Sequence, residues 1–339
     1  MPLANDFCRE ILPAVSRTFA LSIRLLPGDL GNVVRTSYLI CRIADTVEDE
    51  PNLPADAKAE LFDVLLRCFD DEHAVAEFTA RAAAVTGDPA HVELTRRADL
   101  VFAVYRELTP RSRESVRHWV GEMIAGMRKF SLAYPHGVRI QSVEEYREYC
   151  YYVAGTVGYL LTDLWHEHSP SIGQREYHVL RERCRAFAEA LQTVNILKDV
   201  APDAERENAI YVPLDLLREH GNTHETMLAS NRLGETRAAL ASLVQLAWRD
   251  LDDATAYLLA IPRRAVSIRL FCALPLLFAY ATLRDLTRTP GALAEKVVVK
   301  ISRSEVKSLT ILSMLGVMSN RFLARLVERT RNRPVLLRP

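Results

Sequence analysis

The 339-residue chain has no excess of either charge, with 43 lysines and arginines against 43 aspartates and glutamates. It therefore has no global field to gather nucleic acid, and any recognition of charge must be local. Paired metal-type cysteine spacings are missing. The six cysteines (Cys8, Cys41, Cys68, Cys150, Cys184 and Cys272) are scattered and read as small core residues of a reducing cytoplasm. Asp6, Arg9 and Glu10 interrupt the first apolar residues, so the basic and long apolar regions of a signal peptide are absent. The most apolar stretches, 270–283 and 309–318, are interrupted or short of the roughly 20 residues a spanning helix needs, and no transmembrane segment is expected. There is no G-x-G-x-x-G fingerprint and no alternating βαβ pattern, which excludes a Rossmann dinucleotide site.

Strict apolar–polar alternation is also nearly absent. Apolar residues recur at three and four positions instead, as in Leu100, Val101, Val104, Tyr105 and Leu108, which predicts a stack of helices. Helices are expected near 5–24, 31–49, 55–69, 92–107, 111–132, 143–167, 173–199, 231–260, 264–287 and 304–330, with 297–301 the one strand-like run. Only 13 glycines and 16 prolines occur, and most prolines fall in short gaps that punctuate helices. Pro275 lies inside an apolar pattern, where it should kink or interrupt a helix. With 49% hydrophobic and 25% charged residues, no low-complexity tract and no linker, the chain reads as one all-α globular domain over residues 1–339.

Two acidic stretches stand out. In Arg42-Ile43-Ala44-Asp45-Thr46-Val47-Glu48-Asp49-Glu50, the helical period puts Asp45, Glu48 and Asp49 on one face. In Gln192-Thr193-Val194-Asn195-Ile196-Leu197-Lys198-Asp199-Val200-Ala201-Pro202-Asp203, Asp199 and Asp203 share a face if the helix persists, continuing a polar stripe through Gln192 and Asn195. Such a cluster taken alone is commonly a solvated face. Two of them, each ending an apolar helix and each with a cation beside it, Arg42 or Lys198, suit Mg²⁺, which bridges a few carboxylates to substrate phosphates.

These residues resemble the squalene and phytoene synthase family. Asp45-Thr46-Val47-Glu48-Asp49 resembles its first aspartate-rich motif, and Asn195 to Asp203 followed by Tyr211-Val212-Pro213 its second. Tyr149-Cys150-Tyr151-Tyr152-Val153-Ala154-Gly155-Thr156-Val157-Gly158 resembles the central signature, and Ser16-Arg17-Thr18-Phe19 the N-terminal diphosphate-binding segment. Phe271-Cys272-Ala273-Leu274-Pro275 and Val299-Lys300-Ile301-Ser302 look like the squalene branch of the family. The motif-bearing core thus covers about residues 8–305, with a C-terminal helix near 304–330.

The resemblance implies an isoprenoid synthase fold, a single helical bundle around a central cavity. It implies Mg²⁺ at Asp45, Asp49, Asp199 and Asp203, with Glu48 in support. Arg17, Arg42 and Lys198 would grip phosphate oxygens beside Tyr38, and Tyr149 would remove the proton that closes a cyclopropane. Ser16, Phe19, Tyr152, Val153, Ala154, Val157, Gly158, Gln192, Asn195 and Phe271 would complete the substrate site. The implied reaction is head-to-head condensation of two farnesyl diphosphates through presqualene diphosphate, then reduction by NADPH to squalene, with Asn195, Lys300 and Arg303 as candidate NADPH contacts. An apolar cavity with aromatic walls would shelter the carbocation, which a π face attracts by about 0.5 to 2 kcal/mol. Each aromatic also has a plain core reading, and Gly155 and Gly158 serve either close helix packing or room for a prenyl chain. A greasy product implies cytoplasmic enzyme in loose, peripheral contact with a membrane. The oligomeric state stays open, a monomer being compatible.

Three departures from the family pattern matter. Pro202 replaces a polar residue and should end its helix. No arginine directly precedes Ile210-Tyr211, with Arg206 nearby, and Lys198 stands where arginine is common, giving a point charge instead of a fork. Presqualene diphosphate, dehydrosqualene or phytoene as product, and a non-catalytic assembly factor, are the alternative readings. His166 and His168, two apart on a helix, and the basic runs 111–117 and 325–333 read as solvated faces.

Overall fold

The computed structural model describes residues 2–289, 291 and 299–336, with the side chains of residues 2, 17 and 18 set aside. The described residues form helices and no strand; a lone parallel bridge joins Arg139 and Ile210. The chain falls into two compact units, residues 1–138 with 159–168, and residues 139–158 with 169–339.

The first unit contains α1 (Pro2–Val15), α2 (Arg17–Ile23), α3 (Gly28–Glu48), α4 (Ala55–Arg67), α5 (Glu72–Arg81), α6 (Pro89–Arg96), α7 (Ala98–Arg106) and α8 (Pro110–Ala133). Its centre is α3, which packs on α1, α4, α6, α7 and α8. Leu39, Ile40, Ile43 and Val47 follow the helical period and are completely buried, so burial of this stripe outweighs the β-branched residues' weaker helix preference. Helix starts follow the capping rules. Asp71, Asp88 and Thr109 each accept a backbone N–H of the first turn, and Pro89 and Pro110 occupy first-turn positions.

The second unit contains α9 (Val143–Cys150), a π-helical turn (Tyr151–Gly155), the start of α10 (Thr156–His168), α11 (Gln174–Arg181), α12 (Cys184–Arg206), α13 (Leu214–Glu219), α14 (Leu233–Ala260), α15 (Val266–Arg288), α16 (Arg303–Gly316) and α17 (Asn320–Asn332). Helix α12 packs on α14, α15 and the π turn. The C-terminal helices are tied to α15 by a buried pair in which Arg284 donates to both Glu305 oxygens at 2.9 Å and to the Thr330 carbonyl at 2.9 Å. Removing one partner of such a pair costs about 3 to 5 kcal/mol, because the other is left charged and buried. Helix α15 is long and apolar enough to cross a membrane, but most of it is buried within its unit; burial, and not shortness, marks it as a core helix.

Helix existence follows the expected pattern better than helix continuity. The run 5–24 breaks at Ser16, whose extended backbone and side chain cap α2. The run 173–199 breaks before Cys184, and 304–330 breaks after Gly316. Helices α5 and α13 were not expected; α5 buries only Ala74, Val75 and Phe78, too narrow a stripe to read. Pro202 does not end its helix, since α12 runs on to Arg206, and α15 is continuous through Pro275. In α12 the packed face on α14 and α15 holds the helix across the lost N–H. Residues 299–301 form no strand, and 297 and 298 lie outside the described residues.

Candidate active site

The first acidic cluster lies where α3 stops. Asp45 and Glu48 are in the helix, and Asp49 is its C-cap, still right-handed at φ −76° and ψ −9°, with its N–H on the Asp45 carbonyl at 2.8 Å. The three carboxylates therefore share one side of a helix C-terminus, where the macrodipole opposes negative charge. Arg42 Nη1 lies 3.4 Å from Asp45 Oδ2, and its Nη2 donates to the Tyr38 hydroxyl at 3.3 Å. Tyr38 Oη donates to the Val15 carbonyl at 3.4 Å, and its ring lies 5.8 Å from that of Phe19. Ser16 accepts the Phe19 N–H at 3.2 Å. Ser16, Phe19, Tyr38, Arg42 and Asp45 thus form one chain of contacts within the first unit. Arg17 opens α2, but its side chain lies outside the described residues.

Burial pushes the Asp45 carboxyl upward, with Arg42 and His91 pulling the other way. Burial also pulls Arg42 down, but Asp45 and Tyr38 outweigh it and hold the guanidinium firmly charged. His91, on α6, is pushed down by burial and by Arg42; no local pattern signals that it stands near this cluster. Among the described residues Arg42 Nε is buried without a hydrogen-bond partner. Beyond the cluster, Glu50 accepts from the backbone and side chain of both Asn52 and Thr86, at 2.5 to 2.9 Å, and fixes the turn that follows.

The second cluster lies on α12. Because the helix persists past Pro202, Asp199 and Asp203 fall on one side, below Gln192 and the exposed Asn195. Lys198 Nζ pairs with Asp199 Oδ2 at 2.9 Å. The helix ends through Asn208, whose φ of +53° is the left-handed conformation that asparagine tolerates. Arg139 locks it, donating to the Asn208 carbonyl at 2.5 Å and to its side-chain oxygen at 2.6 Å. Arg206 is exposed. The arginine at this helix end comes from 69 residues upstream.

Tyr149 is buried at 3% exposure and stacks on Tyr211, with ring centroids 4.7 Å apart and planes at 26°. The Ile140 N–H bonds the Ile210 carbonyl at 3.2 Å and the Leu214 N–H bonds the Ile140 carbonyl at 3.0 Å. These bonds hold the Tyr211 segment beside α9. The next five residues form the π turn, with Tyr152 and Val153 half-buried and Ala154 buried; at the start of α10 Val157 is half-buried and Gly158 buried. Such turns recur at functional sites because they re-aim side chains within a helix. The Arg185 guanidinium lies 4.9 Å from the Tyr151 ring and pairs with the buried Glu189 at 2.5 Å. A Cβ on Gly158 would lie 2.3 Å from the Cys184 carbonyl oxygen, and one on Gly155 would lie 3.0 Å from Glu189 Oε1. Both glycines serve close helix packing.

Phe271 is buried in α15, whereas Lys300 and Arg303 are exposed. His166 and His168 are only partly exposed; His168 Nε2 and Glu167 Oε1 converge on Ser112 Oγ at 2.9 and 2.8 Å. Ser112 is fully buried, so this group braces α8 instead of presenting a nucleophile. All six cysteines are free and buried.

Among the described residues no three acidic, histidine or cysteine side chains converge in a preformed metal site. The donor sets nonetheless fit Mg²⁺, which takes few protein ligands and completes its shell with water and phosphate oxygens.

The profile of the squalene/phytoene synthase family matches residues 12–305. The chain belongs to this family. Squalene synthase 1 of Arabidopsis thaliana is 27% identical over 82% of the chain and 64% of its own length. Squalene synthase BSS of Botryococcus braunii is 30% identical over 82% of the chain and 58% of its own. The chain spans somewhat less than two thirds of these relatives. A ligand complex of TcSQS superposes with a TM-score of 0.80 at 22% identity, covering 97% of each chain. A dehydrosqualene synthase complex gives 0.65 at 22% identity, covering 97% of this chain and 98% of that one. Both show the same all-helical isoprenoid synthase fold.

Proposed function

We propose that the protein is a Mg²⁺-dependent farnesyl-diphosphate farnesyltransferase that makes squalene. The observation that carries this reading is the end of α3, where Arg42, its buried Nε without a hydrogen-bond partner among the described residues, lies beside Asp45, with Glu48 and Asp49 on the same helix side. A diphosphate with its metal satisfies both: anion for the guanidinium, cation for the carboxylates.

In this reading Asp45, Glu48 and Asp49, and separately Asp199 and Asp203, hold Mg²⁺. The ion supplies Lewis-acid stabilisation of the departing diphosphate. Arg42, Lys198 and Arg17 bind phosphate oxygens and stabilise the charge that develops as the allylic C–O bond breaks and its electron pair leaves with diphosphate. The allylic cation adds to the second farnesyl diphosphate's double bond. Tyr149 removes the proton whose loss closes the cyclopropane of presqualene diphosphate. Phe19, Tyr38, Tyr152 and Phe271 offer aromatic faces, while Ser16, Val153, Ala154, Val157, Gly158, Gln192 and Asn195 shape the prenyl and diphosphate sites.

The second half would break the remaining C–O bond, and NADPH, when bound, would supply the hydride that reduces the resulting cation. Asn195, Lys300 and Arg303 are the proposed contacts for that cofactor, two of them exposed cations suited to its phosphates. A hydrocarbon product suits a cytoplasmic enzyme in peripheral contact with a membrane that receives it.

Incubation with farnesyl diphosphate and Mg²⁺, with and without NADPH, followed by analysis of extracted products, tests the reading. Squalene formed only with NADPH supports it. Presqualene diphosphate as end product in both reactions, or no turnover, overturns it.

A further inference from the structure

Four large apolar side chains are exposed within nine residues of the corner between α16 and α17: Met314 at 46%, Leu315 at 77%, Met318 at 61% and Phe322 at 37%. Single exposed apolar residues are ordinary, but four gathered at one helical corner mark a surface that something covers. The corner is built rigidly. A Cβ on Gly316 would lie 1.9 Å from the Phe322 ring, so the glycine is what lets that ring seat. Ser319 caps α17 by accepting the Phe322 N–H at 3.2 Å. From behind, the buried Arg269 donates to the Val317 carbonyl and to Asn320 Oδ1, both at 2.7 Å. The four side chains are therefore not loose ends of a frayed segment.

A cationic stripe continues from them. Arg321, Arg325 and Arg329 recur every four residues along one side of α17, followed by Arg333, and all four are exposed. No ion pair of theirs is found among the described residues. Arg331 differs, being held by Asp252 at 2.9 Å and lying over Trp248. Glu328 is the only acid from 319 to 333 in a chain of zero net charge. The buried face of α17, Leu323, Leu326 and Val327, is used inside the unit.

We propose that this corner docks the protein on an anionic bilayer surface. Met314, Leu315, Met318 and Phe322 enter the acyl boundary, and Arg321, Arg325 and Arg329 meet the lipid phosphates. An apolar tip with a basic flank matches what an anionic membrane offers, a charged headgroup layer over hydrocarbon. A second copy of the chain fits less well, because a two-fold contact would bring the same arginines against each other. The inference does not depend on the reaction proposed above.

The test is co-sedimentation of the full chain with vesicles of phosphatidylcholine alone, or containing roughly a third phosphatidylglycerol. The protein should partition onto the anionic vesicles and be released by salt. Leu315→Ser with Met318→Ser, and separately Arg321→Gln with Arg325→Gln, should each weaken partitioning by about tenfold or more. Both pairs are exposed, and circular dichroism melts verify folding; should the apolar pair melt early, the arginine pair reads the same surface. Wild-type protein that ignores anionic vesicles, or variants that bind as wild type does, would overturn the proposal. So would a dimer in light scattering that the Leu315→Ser change dissolves, which would make the corner a contact between copies.

Discussion

Tyr149 and Tyr211 stack face to face, their ring centroids 4.7 Å apart. One belongs to the central signature and the other follows the second aspartate-rich stretch, so a single contact fixes the tyrosine proposed for proton removal to the segment that leaves α12. Tyr149→Phe keeps the stack and should melt near wild type while failing to form presqualene diphosphate. Tyr211→Ala removes a buried ring and should lose about 3 to 5 kcal/mol in denaturant unfolding. Normal presqualene diphosphate formation by Tyr149→Phe would remove the hydroxyl from the mechanism.

The end of α12 depends on Asn208 in a left-handed conformation and on Arg139 across from it. Asn208→Gly should be nearly neutral, whereas Asn208→Val should cost about 1 to 2 kcal/mol from backbone strain. Arg139→Ala should lower turnover by loosening the helix end below Asp203, with helical content unchanged by circular dichroism. Equal stability of the glycine and valine variants would show that the turn is not held as described.

Two glycines should respond oppositely to alanine. A Cβ at Gly158 would meet the Cys184 carbonyl oxygen at 2.3 Å, whereas at Gly121 the nearest atom is Leu66 Cδ2 at 3.7 Å. Gly158→Ala should cost about 1 to 3 kcal/mol through forced separation of packed backbone. Gly121→Ala, in a helix interior with room, should stabilise by about 0.5 to 1 kcal/mol. Chemical denaturation of both variants decides the matter.

Glu50 gives a pH signature. Burial alone would raise its carboxyl, but the donors on Thr86 and Asn52 outweigh that and hold it below the usual carboxylate range. A depressed folded value means the stabilisation is complete above the unfolded pKa, about 4.3, and is lost as pH falls through the folded value. At neutral pH Glu50→Gln should be less stable by about 1 to 3 kcal/mol, the worth of hydrogen bonds to a charge. The gap from wild type should close on acidification; a constant gap would assign the effect to shape alone.

Much of this was legible in local pattern. The helical class follows from apolar spacing, and the Asp45 face from a period of 3.6, because α3 is a regular helix with a clean buried stripe. The persistence of α12 through Pro202 was not legible, since packing on α14 and α15 overrides a local breaker. Neither were the Arg139–Asn208 lock and the approach of His91 to Arg42 and Asp45, which join residues distant in sequence. The π turn at Tyr151 to Gly155 left no trace in a motif that reads as plain helix. The exposure expected for His168 failed because Ser112, from α8, reaches it.

The central claim is that the acidic ends of α3 and α12 activate a prenyl diphosphate through Mg²⁺. Diphosphate release from farnesyl diphosphate tests it most directly, measured with Mg²⁺, with a chelator, and in Asp45→Ala and Asp199→Ala. Release should require Mg²⁺ and fall at least roughly 100-fold in either variant, as when one partner stabilising transition-state charge is lost. Release that survives the chelator, or folded variants that turn over as wild type does, would contradict it.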